Sequence, residues 1–152
     1  MSDEKKFVEE FYSFFKKVTM HIYNELKAGK QETAYRDAIA SELQLSGFSV
    51  QTELPITYKY TTTKNTVVTV GSGKIDVYAT SKNAIVVVEV KVAVVFLFRQ
   101  IASRPVLQLE GYVNTVAKEH PESLVLGSLV NFPVPQTFTP EWYFITRSPL
   151  RR

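Results

Sequence analysis

The chain has 152 residues, 45% hydrophobic and 12% aromatic, enough to bury one core and too few for two ordinary domains. Eighteen Lys and Arg against 15 Asp and Glu give a net charge of +3, compatible with a polyanionic partner and too small to identify one. Cysteine is absent, which excludes disulfides, thiolate zinc sites and cysteine nucleophiles and leaves oxygen or histidine ligands for any metal.

Met1 to Lys6 is charged and leads into an amphipathic stretch rather than the apolar run of a secretory signal. From Phe7 to Leu26, the residues Phe7, Phe11, Phe14, Phe15, Val18, Ile22 and Leu26 recur at three and four, the period of a helix with one buried stripe. Ala28-Gly29 interrupts it. A second helix follows, with Tyr35, Ile39 and Leu43 on one face, Glu32 one turn before Tyr35 and Arg36, and Gly47 as its stop.

After Gly47 the period changes to two. Phe48, Val50, Thr52, Leu54 and Ile56 alternate with polar neighbours, as in a half-buried strand, and Pro55 points to an edge position, a bulge or the end of regular pairing. Thr61 to Asn65 reads as a turn, and Thr66 to Val70 resumes extended structure as far as Gly71-Ser72-Gly73. Two more strands, Ile75 to Thr80 and Ile85 to Val92, are joined by a tight reversal at Ser81-Lys82-Asn83, giving an antiparallel meander.

Ile101, Val106, Leu109, Tyr112, Val113 and Val116 mark a helix with Pro105 in its first turn. Ser123 to Phe132 is a short apolar strand bounded by Pro121 and Pro133, and Trp142 to Thr146 is a candidate edge strand. The most apolar segment, Ile85 to Phe98, contains Glu89 and Lys91 and falls short of the ~20 residues of a membrane span. Together these features predict a soluble intracellular protein of cytoplasm or nucleus, neither secreted nor membrane-bound. It would form one domain, with an N-terminal helix over 1–28, a core over 29–132 and a C-terminal extension over 133–152.

The informative feature is charge in an apolar setting. Ile85 to Lys91 reads as a strand covered on both faces, yet it carries Glu89 and Lys91 at i and i+2, on the same face. Burying either charge alone costs several kcal/mol, roughly, unless a counter-ion or metal accompanies it. If the reversal closes with a two- or four-residue loop around Ser81-Lys82, Asp76 falls opposite Val87 and joins that face. Two carboxylates and an ammonium suit phosphodiester hydrolysis. The acids, Asp76 and Glu89, would hold Mg²⁺ or Mn²⁺, and Lys91 would orient a water or neutralise developing charge. The plainer reading is an Asp near a turn and a Glu–Lys pair meeting water at a strand end.

Gly73-Lys74-Ile75-Asp76 followed by Glu89-Val90-Lys91 resembles the split aspartate and Glu-x-Lys signature of the PD-(D/E)XK nucleases. Gly29-Lys30-Gln31-Glu32-Thr33-Ala34-Tyr35 is similar to the Gly-x-x-Glu-x-x-Tyr pattern of the GxxExxY family, a branch of that superfamily. Gln108-Leu109-Glu110-Gly111-Tyr112 resembles the Gln-x-x-x-Tyr motif of RecB-type nucleases, and Val125 to Phe132 the family's final strand. The resemblance implies an α/β fold with an αβββαβ core, a mixed sheet flanked by helices, here with an extra N-terminal helix. It also implies Glu32 as a third acid, and Gln108, Tyr112 and Tyr35 as residues that steady nucleic acid or support the metal site. The plainer readings are Glu32 as an acid favoured by the positive N-terminal end of its helix, Tyr35 and Tyr112 as packing residues with a hydroxyl at the rim, and Gln108 as exposed polar surface. The sequence departs from the signature in having no proline before Asp76.

Two functions follow as expectations. One is a Mg²⁺- or Mn²⁺-dependent nuclease acting on DNA; the other is a catalytically idle nuclease fold that binds nucleic acid or a protein partner. Lys30, Arg36, Lys59, Lys64, Lys74, Arg99 and Arg104, with Arg147, Arg151 and Arg152 near the C-terminus, are available for phosphate contact. Phe96, Leu97 and Phe98 suit a covered loop, a homodimer contact or a partner surface. His21 and His120 read as packing or helix-end residues and are not assigned to a metal.

Overall fold

A computed structural model describes residues 2–82, 84–94 and 103–150. The elements are α1 (Asp3–Leu26), α2 (Glu32–Leu45), β1 (Ser49–Thr61), β2 (Val67–Thr80), β3 (Ala84–Lys91), α3 (Arg104–Glu119), β4 (Leu124–Asn131) and β5 (Glu141–Arg147). The five strands form one mixed sheet in the order β1-β2-β3-β4-β5. The β1-β2-β3 meander is antiparallel, α3 carries the crossover that makes β4 parallel to β3, and β5 returns antiparallel on the far edge.

The sheet is buried from both sides at its centre, which is why β3 and β4 read as continuous apolar runs. On one side α1 and α2 pack Phe11, Phe15, Ile22, Tyr35, Ile39 and Leu43 onto Val77, Ala79, Val86, Val88, Val90, Leu126 and Val130. On the other, α3 packs Val106, Leu109, Tyr112, Val113 and Val116 onto Ile75, Ile85, Val87, Val125 and Leu129. Several buried polar groups are hydrogen-bonded across distant parts of the chain, whereas Ser128 Oγ is buried without a partner among the described residues. Trp142 Nε1 donates to Thr19 Oγ1 at 2.8 Å, and the Tyr23 hydroxyl donates to the Pro133 carbonyl at 2.7 Å and accepts from Thr137 N–H at 3.0 Å.

Several sequence expectations change in detail. Phe7, placed on the buried stripe by its spacing, is 38% exposed at a cavity it lines with Lys82, Ala84 and Leu124; Thr19 and Tyr23 join the buried face of the helix instead. Gly71-Ser72-Gly73 does not end a strand, since β2 continues through it from Val67 to Thr80. Pro55 lies within β1, an edge strand, where its missing N–H costs little; the irregularity in that ladder falls between Tyr58 and Lys59. The predicted contributions of Asn83, Phe96, Leu97, Phe98, Arg99, Ile101, Arg151 and Arg152 lie outside the described residues. Among the described residues no helix is long and apolar enough to cross a membrane.

Candidate active site

Asp76, Glu89 and Lys91 meet where the central ladder ends. The β2–β3 reversal closes with Ser81 N–H donating to Ala84 O at 2.9 Å, and the register pairs Tyr78, not Asp76, with Val87. The ladder therefore runs two residues off the expected pairing, a shift that preserves side-chain parity and sets Asp76 against Glu89. Regular pairing runs from Thr80–Ile85 to Val77–Val88. Beyond it the two carboxylates take over the main-chain donors: Asp76 N–H donates to Glu89 Oε2 at 2.9 Å, and Val90 N–H donates to Asp76 Oδ2 at 2.8 Å.

The backbone around Asp76 changes face. Ile75 packs toward α3 while Val77 packs toward α1 and α2, and across the ladder Leu54 and Val50 divide the same way. Strict alternation would keep each pair on one side. Between them, Glu53 adopts a positive φ of 53° and pairs with Arg36 of α2 at 3.4 Å, while Arg36 also holds Asp37 at 2.9 Å. This local twist places Asp76 at the junction of the two faces, within electrostatic reach of Arg36 and Glu53 as well as Lys91.

Both carboxyls titrate above their ordinary range. Burial raises Asp76, opposed by the Val90 N–H and by the charges of Lys91 and Arg36. Burial and then the Asp76 charge push Glu89 up to about 8; the Asp76 N–H and Lys91 oppose this, and Glu32 adds a smaller upward push. Lys91 is half-buried at the end of β3 and forms no ion pair within 4.0 Å among the described residues. Among the described residues the pair is thus incompletely neutralised.

These observations suit a hard divalent cation. The donors are carboxylate oxygens, each acid commits only one oxygen to the main-chain bonds described above, and a cation would relieve the repulsion that raises Glu89. Among the described residues, three His, Cys, Asp or Glu side chains do not gather into a ready metal cluster. Glu32 stands exposed at the start of α2, close enough to act on Glu89 electrostatically but not joined to the pair as a third ligand.

A pH experiment follows from this burial. Folded Glu89 keeps its proton to about pH 8, whereas the unfolded chain releases it near 4.5. Within that window the unfolded state binds fewer protons, so the Glu89 contribution lowers stability as pH rises from 4.5 to 8, by an amount on the order of a few kcal/mol. Metal-free melting is expected to show wild type falling behind Glu89→Gln across this window and matching it below. Mn²⁺ should restore the wild type alone. Parallel pH profiles for the two proteins would contradict the assignment.

The remaining sequence candidates separate. Tyr112 of α3 is buried, accepts from Gln108 Nε2 at 3.2 Å and lies within the field of Glu89. Burial raises its pKa and the Glu89 charge adds to that. Gln108 is exposed, and with Lys91, Ala93, Arg104, Pro105 and Leu107 it lines an open cleft of about 800 Å³. Tyr35 goes elsewhere: it is fully buried, stacks on Phe132 with centroids 4.1 Å apart, donates to the Lys27 carbonyl and accepts from Lys30 N–H at 3.3 Å. Its hydroxyl closes the α1–α2 turn.

Tyr58 was missed by sequence reasoning. It stacks on Tyr112 at 6.3 Å, and Glu89 contributes to raising its pKa after burial and Tyr112. Its only signal was alternation with Leu54 and Ile56. Glycine makes room for the second ring: a Cβ at Gly73 would lie 2.5 Å from Tyr112 Oη and 3.0 Å from its Cε1. Gly73→Ala is expected to cost about 1–3 kcal/mol in urea unfolding. Adding Tyr112→Phe, which removes the nearest atom, should recover part of that loss; strict additivity of the two changes would contradict the contact.

Five chains of solved structures match the protein. One, titled "Crystal structure of SSO0001", shares 17% sequence identity over 93% of this chain and 79% of its own, with a TM-score of 0.40. No curated protein matches. Residues 9–143 match the PD-(D/E)XK nuclease superfamily, a span that takes in both carboxylates, Lys91, Glu32 and the Gln108–Tyr112 turn. The match runs from within α1 to the first residues of β5, taking in most of the chain, and on that ground the chain belongs to the PD-(D/E)XK nuclease superfamily.

Proposed function

We propose that this chain is a Mg²⁺- or Mn²⁺-dependent nuclease of the GxxExxY branch that hydrolyses phosphodiester bonds in DNA. The observation that carries the reading is the Asp76–Glu89 pair, Glu89 buried and Asp76 partly so, held open at the end of the β2–β3 ladder with Lys91 beside it.

Asp76 and Glu89 would hold the metal, with Glu32 available from α2. When bound, a divalent cation polarises the phosphate and favours ionisation of its water. Lys91 supplies positive charge to the phosphoryl oxygens as water adds to phosphorus and the P–O bond to the leaving oxygen breaks. Gln108 and Tyr112, one helical turn apart and hydrogen-bonded, steady the side of the site that opens into the cleft. Arg36 limits repulsion around Asp76 from the α2 side.

The test is cleavage of linear and circular, single- and double-stranded DNA, and of RNA, with Mg²⁺, Mn²⁺ or EDTA. Metal-dependent cutting of DNA supports the reading, and closed circles separate internal cutting from digestion at ends. Absence of cutting on every substrate would favour an idle nuclease fold, a reading supported by the lack of a ready three-ligand cluster among the described residues.

A further inference from the structure

β3 pairs only with the last four residues of β2, Val77 to Thr80. From Asp76 back to Val67, β2 has β1 as its one strand partner among the described residues, so the two form a ribbon that runs on beyond the site. Its chemistry differs from the rest of the chain. The 22 residues between Glu53 and Asp76 contain Lys59, Lys64 and Lys74, six threonines and no acid. All three lysines are exposed.

Register sorts these side chains. Ile56, Tyr58 and Ile75 face α3. Between them in register come Thr57 with Ser72 across from it and Lys74 beside Pro55; past the irregularity after Tyr58, Lys59 pairs with Thr69, and Thr57 and Lys59 also line a cleft with Asn114, Thr115 and Lys118 of α3. Lys59 Nζ donates to Thr69 Oγ1 at 2.8 Å, which confirms that these two share a side. The result is a strip of ammonium and hydroxyl groups leading away from Asp76. At ~3.3 Å per residue it extends roughly 20 Å from Asp76 to Thr69, matching about six nucleotides at ~3.4 Å per phosphate of one strand.

We infer that the β1–β2 ribbon is a nucleic-acid-docking arm, whose Lys74, Lys59 and, in the turn beyond the strip, Lys64 bind the phosphate backbone as it leads away from the carboxylate pair. This rests on the nuclease reading for its orientation, since the strip begins two residues from Asp76. Lysines and hydroxyls of this kind hold phosphates without reading base sequence, so the arm sets register and affinity rather than sequence preference.

The test is fluorescence anisotropy in EDTA, with labelled duplex and single-stranded oligonucleotides titrated across salt concentration. Wild type is compared with Lys59→Gln/Lys64→Gln/Lys74→Gln and with a charge-matched control on α1, Lys5→Gln/Lys6→Gln/Lys17→Gln. The arm variant is expected to lose at least ~10-fold in affinity, and its slope of log affinity against log salt should fall by about 2–3. The control should change less than ~3-fold. An unchanged slope in the arm variant, an equal loss in the control, or no binding by wild type would each overturn the inference. Cleavage is scored separately: arm-dependent binding without metal-dependent cutting leaves the arm standing and removes the nuclease reading, and cutting with arm-independent binding does the reverse.

Discussion

Asp76→Asn is expected to reduce metal-dependent cleavage by roughly 10²–10³-fold while leaving the fold at least as stable as wild type near neutral pH. The two effects have one origin. An asparagine oxygen can still accept the Val90 N–H, so the main-chain donor stays satisfied. Burial raises the pKa of Asp76 itself, so its carboxylate is held at a cost near neutral pH that the neutral amide does not carry. The metal would lose a carboxylate ligand at the same time. Lys91→Met keeps the aliphatic stem and removes the charge, and a loss of similar size is expected. Single-turnover cleavage measured beside urea unfolding decides the matter. Full cleavage by either variant would take that residue out of the reaction, and a loss matched by unfolding would make its role structural.

The largest expected change in stability belongs to Phe132. Its ring is fully buried, stacked on Tyr35 at 4.1 Å with an interplanar angle of 8°, and 5.8 Å from the Tyr23 ring. Its N–H donates to the Lys91 carbonyl at 2.9 Å, joining the end of β3 to the exit from β4. Phe132→Ala removes a core ring and two aromatic contacts, for an expected cost of about 3–5 kcal/mol. In a chain of this size that lowers Tm on the order of 10 °C. Phe132→Leu should cost less than half as much. Calorimetry of both variants checks the prediction, and an unchanged Tm for alanine would show that α2 is held without the stack.

Much of the candidate site's geometry was legible because its residues contradicted their surroundings. Glu89 and Lys91 stand in a run of valines, and two-residue periodicity alone puts them on one face. Asp76 was reached through hairpin parity, which survived an error of two residues in register because a slip by an even number preserves the face. Its setting was not legible: the change of face at Asp76 depends on the neighbouring strand, where Glu53 has a positive φ that no local pattern announces. Tyr35 shows the reverse difficulty. Its motif position pointed to the site, but Phe132, nearly a hundred residues away, claims its ring and the α1–α2 turn claims its hydroxyl. The fold was easier, because helical stripes and strand alternation are local. Its errors fall at Phe7, exposed near the start of α1, and at Gly71 to Gly73, where glycines sit inside a strand because Tyr58 and Tyr112 occupy the space that side chains would take.

The end of the β2–β3 ladder sets two uses of the same amides in competition. If the strands zipped one rung further, the Val90 N–H would exchange the Asp76 carboxylate for a main-chain acceptor, and that carboxylate would be released from its present position. At that rung Asp76 serves as the acceptor that a carbonyl would otherwise supply. Chain pairing and chemistry therefore share one boundary: a substitution that lengthened the ladder would strengthen the sheet and erase the site together.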